Sequence, residues 1–569
     1  MESTATNPTE RESQSPDAPA KPRIAYFSME IGIDEDVPTY SGGLGILAGD
    51  TLKSCADLRV PIAGVTLLSE HGYFYQRIDA DGNQIEEPIK FDVEHYLALI
   101  PARTTVSVEN RTVHVRIWQH LLKGTGGHVV PVIFLDTNLE ENDPWDRTLT
   151  LNLYGGDKRY RLAQEIILGV GGVRALQALG YDAIEKYHMN EGHSALLALE
   201  LLRQKGDIDR VRERCVFTTH TPVASGHDQF ELGLARRMLG ELLPDTHIED
   251  ITFEGKLNMT RLALHFSHHV NGVAKRHSET SRHMFPGYTI DSITNGVHST
   301  TWTSEPFKRL FDLHMPGWRS DPFILRSAFG IAKQEIWAAH MEAKRVLIDF
   351  ANGRLNAGMA DEDFTIGYAR RQTAYKRPDL LISDMERLRR IAETAGPLQI
   401  LYAGKAHPRD ESGKQAIRAI VRAAKESGGK LKIAFVNNYD IAIAKMMVAG
   451  VDLWLNTPRR PYEASGTSGM KAAHNGVPQF STLDGWWLEG CIENITGWAI
   501  GPEKAAHEAS DDDVDRRDLY EKLEARVLPK FYGDHDNWVR MMRSCIAINA
   551  SFFNTNRMVQ QYVVNCYFL

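Results

Sequence analysis

The sequence has 569 residues, 43% of them hydrophobic and 24% charged, the balance of an ordinary globular protein with room for about three or four domains. Sixty-five basic against 74 acidic side chains give a net charge of -9, which argues against nucleic-acid binding and for a small or neutral partner. Five scattered cysteines without a CxxC pair argue against a disulfide framework and a structural zinc site; no apolar stretch reaches membrane-spanning length and no signal peptide is evident, so the expected compartment is the cytoplasm.

Residues 1–22 are rich in Ser, Thr, Pro, Glu and Lys and are expected to form a disordered tail. Order begins with the apolar run Arg23-Ile24-Ala25-Tyr26-Phe27, which suits a buried strand. Tyr40-Ser41-Gly42-Gly43-Leu44-Gly45 then precedes a helical pattern through Leu47 to Leu58; such glycines permit close backbone approach, and the helix end favours an anion. Further strands are predicted at 62–68, 129–135, 216–219 and 288–293, with a two-stranded excursion where apolar and polar residues alternate at Val113 to Ile117. Helices are predicted over 162–179 and 194–204.

Three polar clusters follow strand-like or extended segments: Asn190-Glu191-Gly192-His193, Thr219-His220-Thr221-Pro222 and Thr294-Asn295-Gly296-Val297. Sugar recognition needs hydrogen-bonding groups of this kind, aimed at hydroxyls from several loops. The histidines His265, His268, His269 and His277 lack a partner motif such as HExxH and fall in a pattern read as helical, so no metal site is expected.

The stretch 303–330, with three prolines, reads as irregular, and a long helix is predicted over 331–351. A second series of strands is predicted at 364–368, 398–401, 431–436, 451–455 and 478–481, with helices beginning near Pro378, Gly413, Asp440 and Ser468. Directly after the first of these strands stands Arg370-Arg371-Gln372-Thr373-Ala374-Tyr375-Lys376-Arg377, a cluster able to grip a dianion with a planar fork and a point charge. After the fourth comes Glu463-Ala464-Ser465-Gly466-Thr467-Ser468-Gly469-Met470-Lys471, a small, glycine-rich loop opening a helix, with a lysine in its first turn. The last four residues, Cys566 to Leu569, formally match a prenylation box, but the aromatic pair inside it and the helix-like Val563-Val564 before it argue against that use. Alternating strands and helices predict two doubly wound α/β units with a cleft between them.

The nine-residue string ending at Lys471 resembles the cofactor loop of the glycogen and starch phosphorylases, and the likeness continues through Thr482-Leu483-Asp484-Gly485 and Asn438-Tyr439. It runs collinearly over about residues 23–500, and is similar to the compact bacterial and archaeal branch of the α-glucan (glycogen, starch, maltodextrin) phosphorylases. The resemblance implies two Rossmann-like lobes of the GT-B glycosyltransferase type. Residues 23–300 would be an N-terminal lobe for glucan, sugar and the phosphate-covering loop; residues 301–569 would be a C-terminal lobe for cofactor and substrate phosphate.

The implied reaction is reversible phosphorolysis of terminal α-1,4-linked glucose to α-D-glucose 1-phosphate with retention, by a hexosyltransferase using pyridoxal 5′-phosphate. Lys471 would carry that cofactor as a Schiff base, with Tyr439, Gly466, Thr467 and Ser468 around it. By the same resemblance Arg371 and Lys376 hold the substrate phosphate under the loop Gly42, Gly43 and Leu44, and His220 and Asn295 bind the glucosyl 6-hydroxyl. Glu463, Ser465 and Gly466 take the 3- and 4-hydroxyl side, Asp484 lies in the matched string, and Glu191 and His193 form the nearby wall. Ser41 stands where the glycogen-degrading members usually have Asn, and Thr373 where many have His. Asp440 stands where many have Arg, an unfavourable acid unless it faces away or meets a cation such as Arg459. A nucleotide-sugar glucosyltransferase of the same fold and a non-catalytic glucan-binding relative remain as alternatives. Oligomeric state is open between monomer and homo-oligomer; no membrane or nucleic-acid partner is expected.

Overall fold

The computed structural model describes residues 21–89, 91–223, 226–502 and 509–568; of the expected tail, residues 1–20 lie outside them, as does Leu569 of the final box. The first apolar run forms the strand Ile24–Phe27, buried at all four positions, and the next strand, Ile62–Leu67, is buried at all six. A parallel strand covered on both faces needs a continuous apolar run rather than alternation, which is why these short runs are legible.

Two large sheets organise the described residues. The first has nine strands in the order Asp291–Ser292, His269–Gly272, Cys215–Thr218, Lys186–Asn190, Ile24–Phe27, Ile62–Leu67, Val129–Asp136, Arg111–Lys123, Ala98–Val108. All its pairings are parallel except the two made by Arg111–Lys123, where the expected alternation buries Val113, Val115 and Ile117 and leaves His114 and Arg116 between them partly exposed. The second sheet is parallel throughout, in the order Leu431–Val436, Leu398–Ala403, Phe364–Ala369, Leu453–Asn456, Gln479–Thr482, Gly497–Ile500. In each sheet the strand order reverses beside the first strand, Ile24–Phe27 or Phe364–Ala369. A reversal leaves a crevice at the carboxyl ends of the flanking strands, because the connections depart in opposite directions.

Several elements differ from expectation. The helix predicted over 162–179 is Lys158–Ile166 and Gly172–Ala178, joined by the π-turn Ile167–Gly171. The wide turn lays glycines against their neighbours: a Cβ at Gly172 would stand 2.5 Å from the Phe27 ring, and one at Gly169 2.7 Å from the Leu197 amide. The stretch 303–330 is not irregular throughout, since Glu305–His314 is a helix with Pro306 in its first turn, where no amide hydrogen is needed. The helix expected near Pro378 starts only at Met385, where Asp384 caps it through the Arg387 amide. The histidine-rich segment is not one helix: His269–Gly272 is a strand, and sheet pairing on both sides overrides the local pattern.

The chain ends where it began. The helix Thr555–Tyr562 and the π-turn Val563–Tyr567 place Met558, Val559, Tyr562, Cys566 and Tyr567 in one core with Ile24, Tyr26, Leu52 and Val216. The Tyr562 hydroxyl lies 3.1 Å from both Thr218 Oγ1 and Asn271 Nδ2, and the Tyr567 hydroxyl 2.6 Å from His188 Nδ1. Residues 555–567, expected with the unit 301–569, therefore pack on the first sheet. Between the sheets, the hairpin Tyr75–Ile78 and Gln84–Glu87 sends Gln76 to the Gly404 carbonyl (3.0 Å) and Gln84 to the Ala406 carbonyl (2.9 Å). Among the described residues no helix is long and apolar enough to cross a membrane.

Candidate active site

The loop after Leu453–Asn456 builds the centre. Gly466 has φ +78, a left-handed conformation that favours glycine, and Gly469 has no room for a Cβ, which would fall 1.3 Å from Gln479 Oε1. These two positions let the loop turn into the helix Ser468–Ala473, where Trp454 Nε1 donates to Ser468 Oγ at 3.0 Å. Lys471 is thereby turned inward, 8% exposed, with its Nζ 3.8 Å from the centre of the Trp302 ring. It has no carboxylate partner among the described residues. Burial lowers its pKa to about 8 while the Asp50 charge acts the other way, so much of this amine is neutral and nucleophilic in weakly alkaline water.

Glu463 is the hub of the polar contacts. Lys376 Nζ stands 2.9 and 2.6 Å from its two oxygens, and Arg370 Nη2 2.6 Å from one of them. Burial pushes the Glu463 carboxyl up, but Arg370 and Lys376 overrule it and hold the pKa at about 2. Asp484 accepts the Glu463 and Gly485 amides, each at 2.9 Å; burial, with the Glu463 charge adding, pushes it up to about 7. Lys376 is held in place by its neighbour Arg377, which donates to the Thr457 and Pro458 carbonyls and pairs with Asp512 and Asp515.

Arg371 leaves the same strand end with its side chain more open to solvent, in reach of the Tyr375 and Tyr73 phenols and the Glu30 carboxylate. Two of those come from the first sheet's side. There, Glu30 Oε2 accepts the Ser41 amide at 2.6 Å and the Gly42 amide at 3.1 Å, and its Oε1 takes the Tyr154 hydroxyl at 2.8 Å. Of the loop expected to cover a phosphate, Gly42 thus has its amide engaged by a carboxylate, leaving Gly43 and Leu44, at the start of the helix Gly43–Asp57. A Cβ at Gly42 or Gly43 would meet nothing within 4 Å, so the space above this loop is open.

Glu191, at φ +74, turns its carboxylate onto the Gly192 amide (2.9 Å), the His220 amide (2.8 Å) and the Thr221 hydroxyl (2.9 Å). It orients its neighbours rather than facing open space. His220 Nε2 lies 2.7 Å from Asn190 Oδ1, and burial, reinforced by His277, His188 and His193, lowers the His220 pKa to about 3. His193 is likewise neutral, held at about 3 by burial and by the Arg161 charge, although its Nε2 is 3.7 Å from Asp228 Oδ2. Asn295 follows Thr294, whose hydroxyl binds Glu489 of the second sheet's side at 3.0 and 2.9 Å. The segment continues through Ser299, 2.9 Å from His474 Nε2, to Trp302 under Lys471, so Asn295 and Lys471 are tied to one stretch of chain.

Tyr439 is half-buried; burial raises its pKa, with the Asp440 charge adding and the Arg370 charge opposing. Asp440 does not meet Arg459, which pairs with Asp512; its carboxylate caps the helix Ile441–Gly450 through the Ile443 amide at 2.9 Å. The acid is thereby engaged by a helix start. Glu30, Tyr154 and Tyr73 stand outside the motifs of the sequence, and Arg370 lies in the basic cluster without a role of its own there. Glu30 carries one usable signal, a carboxylate three residues past a strand at the sheet's reversal.

Among the described residues, the buried polar atoms without a hydrogen-bond partner include several at these strand ends: Arg370 Nε and Nη1, Asn456 Oδ1, Ser465 Oγ, Thr219 Oγ1, His193 Nδ1 and Asn295 Oδ1. Buried donors and acceptors are almost always paired, so such a set among loops at strand ends is complementary to a polar ligand.

A family profile described as "Carbohydrate phosphorylase" matches residues 227–496. The chain is 38% identical to the maltodextrin phosphorylase of Thermococcus litoralis, over 96% of this chain and 70% of that protein. It is 36% identical to the glycogen phosphorylase of Mycobacterium tuberculosis, with the same two coverages, and 35% identical to that of Aquifex aeolicus, over 98% of this chain and 87% of that protein.

Proposed function

The chain belongs to the carbohydrate phosphorylase family, and from that premise we propose that it is an α-glucan phosphorylase. It transfers the terminal α-1,4-linked glucosyl unit of a maltodextrin or glycogen to inorganic phosphate, giving α-D-glucose 1-phosphate with retention. The two sheets are read as the lobes of a GT-B type glycosyltransferase, with the reaction between their reversal points. One observation carries the reading: Lys471, a buried amine with no carboxylate partner among the described residues and a pKa of about 8, lies in the loop whose Glu463 gathers Arg370 and Lys376.

The residues present fit pyridoxal 5′-phosphate, with Lys471 as its attachment point and Tyr439, Gly466, Thr467 and Ser468 around it. When bound, that group supplies a phosphate that serves as an acid–base neighbour to the substrate phosphate. Arg370, Arg371 and Lys376 set against the single charge of Glu463 leave the site net positive, as a dianion requires. Arg371 and Lys376 grip the substrate phosphate, while the amides of Gly43 and Leu44 close over it. His220, being neutral, is a hydrogen-bonding partner for a sugar hydroxyl and no source of positive charge. Asn295 Oδ1 and Ser465 Oγ, unpaired and buried, are matched to hydroxyls of the same ring. Glu463 and Asp484 do not form the carboxylate pair of a glycosidase, because the first is ion-paired and the second holds two amides, so neither is free to attack an anomeric carbon.

The reading is tested by incubating cofactor-loaded protein with maltoheptaose and phosphate and assaying glucose 1-phosphate. Borohydride reduction followed by peptide mass spectrometry then locates the pyridoxyl group. Phosphate-dependent product with the tag on Lys471 is expected. Absence of product, or an active protein whose reduced Lys471 peptide is unmodified, would overturn it.

A further inference from the structure

Away from this site, three side chains with metal-ligating atoms meet where the excursion between the strands Cys215–Thr218 and His269–Gly272 folds back on itself. His247 closes the turn Asp245–His247, Asp250 lies in the short helix Ile248–Ile251, and His265 ends the helix Met259–His265. His265 Nε2 stands 3.4 Å from His247 Nδ1 and 3.7 Å from Asp250 Oδ2, and His247 Nδ1 is 4.0 Å from Asp250 Oδ2. One ligand atom from each residue lies within 4.8 Å of the other two.

The triangle has the dimensions of a metal site. A centre equidistant from its corners lies about 2.2 Å from each, close to the ~2.0–2.2 Å of zinc–imidazole and zinc–carboxylate bonds. Edges of roughly 3.3–3.5 Å are those of a tetrahedral ion, so each side chain needs to move by only a few tenths of an ångström. Two imidazoles with one carboxylate favour a zinc-class ion over magnesium or calcium, which prefer oxygen donors.

The surroundings suit it. Asp250 has no lysine or arginine partner among the described residues, and the nearby Arg212 is engaged by the His265 carbonyl at 2.7 Å. Side-chain exposure falls from 54% at Asp250 through 23% at His247 to 11% at His265, leaving the outer side open for a water ligand. The other histidines of the segment are held elsewhere: His268 on the Cys215 carbonyl, His269 near Asp291, His277 on the Val273 amide.

We propose that His247, Asp250 and His265 bind one zinc-class divalent ion with water as the fourth ligand, and that the ion fixes the end of the helix Met259–His265 to the preceding turn. The helix's opposite end carries Thr260, 2.8 Å from His227 Nδ1, and the Met259 amide, 3.1 Å from the Asp228 carbonyl. The ion would thus brace the helix whose first residues, Met259 and Thr260, pack against Gly192, the neighbour of His193. The absence of a site expected from the histidine spacing alone is revised on this geometry, since two of the ligands lie outside that segment.

The test uses the full chain stripped by chelator and titrated with zinc alone, against a chromogenic competitor and by thermal melting. One equivalent per chain is expected, raising Tm by roughly several degrees at saturating zinc, as for any ligand specific to the folded state. His247→Ala and Asp250→Asn, both at partly exposed positions, should each weaken that equivalent by about 100-fold or more, the change expected from loss of one ligand in three. Cobalt in place of zinc should give the visible bands of a tetrahedral ion in wild type only. Equal zinc uptake by wild type and both variants would place the ion on other histidines and overturn the proposal, and so would no uptake by wild type.

Discussion

Asp484 and Glu463 share one polar turn, yet burial leaves one carboxyl near neutrality and the other at about 2, because only Glu463 meets cations. The difference has a sign that can be measured. A carboxyl raised from 3.8 to about 7 on folding favours the protonated native state, so its stabilising contribution is complete below about pH 4 and is lost as pH rises through about 7. Relative to Asp484→Asn, the wild-type protein should lose about 2–3 kcal/mol of stability between pH 5 and 8. Urea denaturation of both proteins across that range checks this; parallel stability curves would mean that Asp484 ionises as an ordinary surface acid.

At the scale of elements, the contact between the turn at Gly296 and the closing helix is the tightest at the junction. A Cβ on Gly296 would fall 2.2 Å from the Asn554 carbonyl carbon and 2.7 Å from the Thr555 amide, both backbone atoms that cannot rotate away. Val297 brackets Asn554 with two backbone bonds there, its amide on the Phe553 carbonyl at 3.3 Å and its carbonyl accepting the Thr555 amide at 3.0 Å. Gly296→Ala should therefore cost about 1–3 kcal/mol, as overpacking does. It should also lower phosphorolysis, because the Asn295 carbonyl is held by Arg557 at 2.9 Å and shifts with the same backbone. Thermal melting and initial rates on the variant test both effects; a wild-type Tm would show that the closing helix is free to slide.

For the whole molecule, the relation between the two sheets rests partly on one glutamine. Gln76 donates to the Gly404 carbonyl and takes the Asn438 amide at 2.8 Å, while the Asn438 side chain accepts the Gln76 amide at 3.1 Å. Asn438 has φ +55 and leads directly into Tyr439, so this reciprocal clasp sets the approach of one site residue from the far sheet. Gln76→Ala would remove the side-chain bonds to the Gly404 carbonyl, the Gln84 side chain and the Asn438 amide, at about 1–3 kcal/mol for each buried group left unpaired. A fall in kcat/KM by about tenfold, corresponding to ~1.4 kcal/mol, is expected with the Lys471 adduct unchanged. Steady-state kinetics with maltoheptaose decide this, and unchanged kcat/KM would remove the clasp from the functional geometry.

What the sequence determined by itself was local. Apolar runs fixed the buried strands, and glycines marked the turns at 42–45 and 466–469, where Gly466 takes a left-handed conformation and Gly45 and Gly469 leave no room for a Cβ. The string ending at Lys471 was legible because its chemistry is contiguous. Pairings between distant positions were decided only by the tertiary structure. Arg370 meets Glu463 across 93 residues, Tyr562 reaches Thr218 across 344, and Glu30 lies under the Gly42 loop because the first strand sits at a sheet reversal. His269 became a strand residue for the same reason: two neighbouring strands outweighed a helical pattern of a few residues. Local propensities are worth tenths of a kcal/mol per residue, whereas burying a side chain or pairing a buried charge is worth several times that. Where the two disagreed, the chain followed the contacts that only its fold could bring together.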